Sequence, residues 1–258
     1  MTRKYEITYI ANSGVMIKHE DVKLIVDGLH TKKAVEFSRV KEDTLEKIVR
    51  GYKPFDDVDY LLFTHRHVDH MCHKSIVEFL KNNDNAEVLY PKDEGCVIEA
   101  VDTFVKEGEY LGGALDIELG RKMKYPIKNG EIIFFKSKHM GDESLQCSNI
   151  CYIIELDGIR FLHLGDGNID YDYLERMLSD EKINVAFMNF PFMHLPEGKK
   201  IIREIIKPDH MVVFHLPFEE DDMSNYIKST LRRYEKDRDK LPEVEIFIEE
   251  GAKVEYIY

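Results

Sequence analysis

Tyr60-Leu61-Leu62-Phe63-Thr64-His65-Arg66-His67-Val68-Asp69-His70 is an apolar run that opens directly into three imidazoles and a carboxylate. Each neutral imidazole offers a lone pair to a divalent cation, and a carboxylate adds an oxygen and balances charge. If the apolar run is a strand, side chains two residues apart share a face, so His65 and His67 can share one ion. Asp69 and His70 then fall past the strand end, in a turn that can aim them at a second ion. The stretch therefore predicts a strand ending in a two-metal cluster.

Upstream, Tyr5–Ile10, Val15–Ile17 and Val22–Asp27 read as a meander of short strands, with turns at Asn12-Ser13-Gly14 and His19-Glu20-Asp21. Residues 31–52 have a helical apolar spacing through Val35, Val40, Leu45, Ile48 and Val49, closed by Gly51 and Pro54. That helix is placed to cover the sheet or to act as a lid. Downstream, helices are expected at 74–81 and 94–106 and strands at 87–90 and 115–119. Further strands are expected at 131–136, 150–156 and 159–164, the last two joined by a tight Asp157-Gly158 turn. Helix and strand then alternate: helices at 170–179, 197–206 and 223–236, and strands at 183–188, 211–214, 243–249 and 253–257. Strands with helices interleaved in each half predict an α+β fold, an αββα sandwich of two mixed sheets flanked by helices. Residues 1–258 read as a single domain.

One cluster does not complete two metal sites. The other candidates are a His or Asp that follows immediately on a strand. His139 follows Ile132-Ile133-Phe134-Phe135 by a short step, and Asp166 follows Ile159–Leu164 between two glycines that let the chain turn sharply. His215 ends Met211-Val212-Val213-Phe214. Of the remaining histidines, His163 reads as core, His210 as surface, and His19 and His30 as turn residues. His194 lies in an apolar loop with Phe190, Phe192 and Met193; His194 and Phe192 are the candidate substrate contacts.

Taken in order, Asp27, the H-x-H-x-D-H cluster, His139, Asp166 and His215 resemble the five motifs of metallo-β-lactamase-fold hydrolases, over nearly the whole chain. The resemblance implies a first metal on His65, His67 and His139 and a second on Asp69, His70 and His215. It also implies Asp166 as the bridge and Asp27 as a partner that orients the cluster from behind. Gly28 stands where many relatives carry Pro, and His70 is followed by Met71-Cys72-His73 rather than glycine. The segments Tyr9–Val15 and Phe161–Gly167 are similar to the lactonase-like and phosphodiesterase-like branch. The implied activity is hydrolysis of an ester, lactone or phosphodiester bond by a hydroxide bridging two metals. Asp69 and Asp166 are the expected catalytic residues, with Asp69 orienting the nucleophile and accepting its proton. Two divalent ions are implied; zinc suits a His-rich, carboxylate-bridged site, and manganese or iron fits the same ligands.

Composition narrows the partners. The 36 Lys and Arg against 49 Asp and Glu leave a net charge of −13. Such a surface repels phosphate backbones, so a small molecule is expected as substrate and nucleic acid is disfavoured unless a local basic patch exists. The spacing from Asp166 to His215 is also too short for the large insert of RNA-processing relatives, which speaks against a nuclease. Iron oxidoreductases on this fold typically carry Glu where His67 stands. Four cysteines without a C-x-x-C pair, no signal peptide and no long apolar run predict a cytoplasmic protein without a membrane span. Cys72, two residues past His70, is a further soft-ligand candidate. Assembly into a homo-oligomer is left open by the sequence.

Overall fold

The structure is a computed structural model that describes residues 2–92, 96–141 and 147–258. The chain forms two compact units, one of residues 1–116 with 249–258 and one of residues 117–248.

Unit 1 is built on a seven-stranded mixed sheet. Its strands are β1 (Lys4–Ala11), β2 (Gly14–His19), β3 (Val22–Val26), β4 (Tyr60–Leu62), β5 (Glu87–Pro91) and β6 (Gly112–Leu115), with the C-terminal Lys253–Ile257 on the outer edge of β1. β1, β2 and β3 form the expected antiparallel meander, whereas β3 to β6 run parallel. β1, β3 and β4 therefore point the same way, and their C-terminal ends share one sheet edge. The helices α1 (Glu42–Arg50), α2 (His73–Asn82) and α3 (Cys96–Glu107) supply the crossovers that parallel pairing requires. α2 buries Ile76, Phe79 and Leu80, and α1 buries Ile48 and Val49.

Unit 2 has the mirrored composition, again a seven-stranded mixed sheet. β7 (Lys122–Ile127), β8 (Gly130–Lys138), β9 (Ser148–Leu156) and β10 (Ile159–His163) are antiparallel, and β10, β11 (Val185–Asn189), β12 (His210–Phe214) and β13 (Glu243–Ile246) are parallel. Two antiparallel steps separate β8 from β10, so β8, β10, β11 and β12 share a direction. Their C-terminal ends lie on one edge. The β9–β10 hairpin turns on Asp157 and Gly158, both at positive φ (49° and 85°), as a two-residue turn matched to strand twist requires. The helices here are α4 (Tyr171–Leu178), α5 (Phe190–His194), α6 (Pro196–Ile201) and α7 (Tyr226–Asp237). Asp170 caps α4 by accepting the Tyr173 N–H. Among the described residues no helix is long and apolar enough to cross a membrane.

Two mixed sheets with helices meet the expected α+β class. Several boundaries differ, each for a physical reason. The helix expected over 31–52 begins only at Glu42; Val35 is 89% exposed at a φ of +56°, which a β-branched residue in a helix does not adopt. The strand expected at 115–119 is shifted to 112–115, because Gly112 lies against β5, where a Cβ would sit 2.1 Å from the Val88 carbonyl oxygen. β7 escaped the sequence reading because Lys-Met-Lys-Tyr-Pro-Ile is an exposed edge strand, and its lysines and proline protect the edge instead of burying a face. α5 also escaped, with Pro191 in its first turn, and the helix expected at 197–206 continues past α6 as a π-helical segment, Ile202–Ile206. The expected start of α3 at Glu94 lies outside the described residues.

Candidate metal centre

The H-x-H-x-D-H cluster is not itself on the strand. β4 stops at Leu62, and residues 63–72 form a loop at its C-terminal end. The peptide N–H groups of His70 and Met71 both donate to the His67 carbonyl (3.0 and 2.9 Å), folding the cluster back on itself. The ring centroids of His65 and His67 are then 4.8 Å apart, and those of His65 and His70 are 3.9 Å apart. His65 and His70 are fully buried, Asp69 is nearly so, and His67 is exposed.

Asp27 organises this loop from β3. It is fully buried at a φ of +50°, a strained conformation for a residue other than glycine. One carboxylate oxygen accepts the Thr64 N–H (2.8 Å); the other accepts the Thr64 hydroxyl (2.5 Å) and His70 Nδ1–H (2.8 Å). The Thr64 hydroxyl, its proton given to Asp27, accepts from His65 Nδ1–H at 2.9 Å. Both imidazoles are thereby held with Nδ1 protonated, which makes Nε2 the lone-pair nitrogen of each. Asp27, His65 and His70 have ligand atoms within 4.8 Å of one another. Both Asp27 oxygens are engaged by Thr64 and His70.

Asn12, at the end of β1, supplies a contact not foreseen from the sequence. Its Nδ2 donates to the Asp69 carbonyl and to Asp69 Oδ2, each at 3.0 Å. Its buried Oδ1 has no partner among the described residues. The His70 Nε2 lone pair lies 3.4 Å from the Asn12 amide nitrogen and 3.8 Å from Asp69 Oδ2. One amide NH2 thus faces three acceptors, the Asp69 carbonyl, Asp69 Oδ2 and His70 Nε2, and the lone pairs it leaves over are electrostatically complementary to a cation.

Unit 2 carries the other candidates on its own sheet edge. His139 follows β8, Asp166 follows β10 and His215 follows β12. A bridge between His139 and Gly167 and the bond from Met140 N–H to the Asp166 carbonyl (2.7 Å) stitch the first two loops together. His139 Nδ1 donates to the Met140 carbonyl at 2.8 Å, which again leaves Nε2 as the lone pair. Asp166 stands between the two imidazoles: Oδ2 is 3.5 Å from His139 Nε2, and Oδ1 is 3.2 Å from His215 Nε2. His215 itself is held at a φ of +58°.

Two asparagines position that carboxylate. Asn149 Oδ1 accepts the Asp166 N–H (2.9 Å), while its Nδ2 donates to Ser137 Oγ and the Leu164 carbonyl. Asn189, the last residue of β11, donates from Nδ2 to Asp166 Oδ1 at 2.7 Å. The only signal for Asn12 and Asn189 in the sequence is an amide closing an apolar run. Single-sequence reading gives such a residue to a turn.

The other expectations fall elsewhere. His194 sits at the end of α5 with Nε2 2.9 Å from the Thr230 hydroxyl, its ring against Phe190; burial and the nearby Arg233 and Lys199 charges lower its pKa to about 4. Phe192 has no exposed surface. His163 is core, edge-on to Phe214 at 5.1 Å, as expected. His210 pairs with Glu243 at 3.1 Å. Burial drives His30 down to about 4. The described cysteines Cys72, Cys147 and Cys151 are free, and burial pushes the Cys151 thiol up to about 12. The Cys96 side chain lies outside the described residues.

The family model described as "Beta-lactamase superfamily domain" matches residues 6–188, well over half of the chain. The chain belongs to the beta-lactamase superfamily. Its membership makes it a metallo-β-lactamase-fold protein of the class its motifs predicted, a metal-dependent hydrolase. Solved structures share this fold. Igni18, named as a metallo hydrolase from Ignicoccus hospitalis, aligns with a TM-score of 0.65 at 16% identity, covering 98% of each chain. The metallo-β-lactamase-fold protein YhfI from Bacillus subtilis aligns at 0.61 and 14% identity, over 98% of this chain and 100% of its own. CmlA from Streptomyces venezuelae, named as a diiron β-hydroxylase, aligns at 0.64 and 14% identity over 98% of this chain but 54% of its own. No curated protein matches the chain in sequence.

Proposed function

We propose that this superfamily member hydrolyses an ester, lactone or phosphodiester bond in a small molecule, using two divalent metal ions held by His65, His67, His139, Asp69, His70, His215 and Asp166. The observation that carries this reading is Asp166, each of whose oxygens faces a different imidazole Nε2. His139, whose Nδ1 donates to the Met140 carbonyl, turns an Nε2 lone pair toward Asp166, an arrangement that a cation between them stabilises, and a carboxylate with one oxygen toward each ligand set is the expected form of a bridge. The donor set thus fits metal, with zinc favoured for its preference for imidazole. His65, His67 and His139 would form one set, and Asp69, His70 and His215 the other. The family model runs without a break across the boundary of the two units, which supports their working as one domain.

When bound, the metals supply electrophilic activation and a nucleophile at neutral pH. The protein's part is orientation and proton handling. Asp27 and Thr64 hold His65 and His70 in the tautomer that ligates. Asn12 restrains one Asp69 oxygen, so the other is free to orient the nucleophile and take its proton. Asn149 and Asn189 fix Asp166. The free described cysteines support a reducing compartment, which we take to be the cytoplasm.

Elemental analysis of the purified protein, paired with a panel of chromogenic esters, lactones and phosphodiesters with and without chelator, tests the proposal. Turnover on one bond class, lost on chelation and restored by zinc, is expected. Dioxygen consumption with bound iron and no hydrolysis would replace the reading with oxidative chemistry, and a protein that takes up no metal would end it.

A further inference from the structure

The cationic face of α7 in unit 2 has no role in the centre described above. We propose that it is a binding site for a small anionic molecule carrying two or more phosphate groups.

Lys228, Arg232 and Lys236 are spaced four residues apart, so they lie along one face of α7, and Arg233 stands beside them. With Asn225 and Ser229 they line an open groove of ≈ 620 Å³ whose described wall contains no acidic residue. That arrangement runs against the composition. The chain carries 49 acidic residues, and other lysines are neutralised: Lys4 by Glu255, Lys23 by Asp56, Lys92 by Asp116, Lys122 by Glu181 and Lys199 by Asp237. Lys228, Arg232 and Lys236 are exposed and make no ion pair or hydrogen bond among the described residues.

Helix stability accounts for only one of these cations, Lys236, which lies in the last turn where the helix dipole favours it. Like charges one turn apart destabilise a helix, and a lysine in the first turn opposes the helix dipole. The first-turn N–H groups of Tyr226 and Ile227 are already taken by Asp222 (2.7 and 3.1 Å), so the helix terminus is not the site. What the stripe does provide is a row of unpartnered donors about 12 Å long, from the helical rise of about 1.5 Å per residue. A lone phosphate or sulfate spans only part of that row, whereas two phosphates on a carbon skeleton can engage both ends. Asn225 and Ser229 add neutral donors suited to phosphate oxygens or hydroxyls. The acidic remainder of the surface repels a long polyanion and leaves a short one focused on the groove.

Calorimetric titration of the full chain with fructose 1,6-bisphosphate at low ionic strength tests the site, and its outcome is independent of any hydrolytic activity. Saturable binding is expected, weakened by added salt and absent for fructose. The variant Lys228→Ala/Arg232→Ala/Lys236→Ala should bind at least about tenfold more weakly while keeping its circular dichroism spectrum and melting temperature, since the three side chains are exposed. Equal binding by the variant would place the anion elsewhere and overturn the proposal, as would no saturable binding by the parent. Tighter binding of a thymidine oligonucleotide than of the bisphosphate would assign the groove to a nucleic-acid backbone instead.

Discussion

Asp27→Asn is the sharpest test of how the centre is held. The substitution keeps the shape of a fully buried side chain and exchanges one acceptor oxygen for an NH2 donor. One oxygen accepts the Thr64 N–H at 2.8 Å, so the amide must place its own oxygen there and its NH2 against His70. That NH2 then meets the Nδ1–H that the carboxylate accepted at 2.8 Å. Two donors repel, so His70 must move its proton to Nε2 and accept through Nδ1. The lone pair that would bind metal is lost. Loss of a partner behind a ligating histidine typically weakens metal binding about 10- to 100-fold, or roughly 1.4–2.7 kcal/mol. Removing the charge-assisted bond should also cost the fold about 1.5–3 kcal/mol, which a domain of ordinary stability survives. Three assays read this out: a competitive chelator titration for zinc affinity, urea denaturation of the apoprotein, and long-range ¹H–¹⁵N correlation of the imidazole nitrogens. The last needs no metal and should show His70 protonated at Nδ1 in the parent and at Nε2 in the variant. An unchanged tautomer together with unchanged zinc affinity would refute the reasoning.

Asn189→Leu removes the 2.7 Å donor to Asp166 Oδ1, and loss of a bond to a charged group should lower kcat or zinc affinity by about tenfold or more; parent-like values for both would relieve Asn189 of that role. Gly167→Ala would place a Cβ 2.9 Å from the Leu164 carbonyl oxygen and 3.0 Å from Ser137 Oγ, beside the Asn149 amide that holds the Asp166 loop. A melting-temperature loss corresponding to about 1–3 kcal/mol is expected, with a parallel loss of turnover. Burial lowers the His30 pKa from 6.5 to about 4, so between those values the unfolded chain binds a proton that the folded one does not. The His30 contribution is therefore harmless above 6.5 and destabilising below it. Chelator-treated protein should lose about 2 kcal/mol from this group between about pH 7.5 and about pH 5 by urea denaturation. His30→Gln should flatten that part of the profile, and an identical slope in the variant would assign the acid sensitivity to other groups.

The candidate ligands were legible in the chain because their chemistry is local. Three imidazoles and a carboxylate beside an apolar run, and a His or Asp at the end of each of three later strands, need no tertiary information to be singled out. The same holds for the strands that bury both faces, such as Ile150–Leu156, and for the positive-φ Asp157-Gly158 turn. What lay beyond the sequence depends on neighbours far along the chain. The cut from a helix over 31–52 to one starting at Glu42, the edge strand Lys122–Ile127 and the displacement of β6 onto Gly112 follow from packing and edge protection, which periodicity does not encode. The asparagines were invisible for a related reason. A terminal amide is a turn residue in isolation, and Asn12 meets Asp69 only because β1 and β4 run in the same direction and end on the same edge. Sequence thus specified which atoms could hold a metal. Strand direction decided which polar groups stand behind them, because strands that run the same way bring C-terminal ends tens of positions apart in sequence to one edge of the sheet.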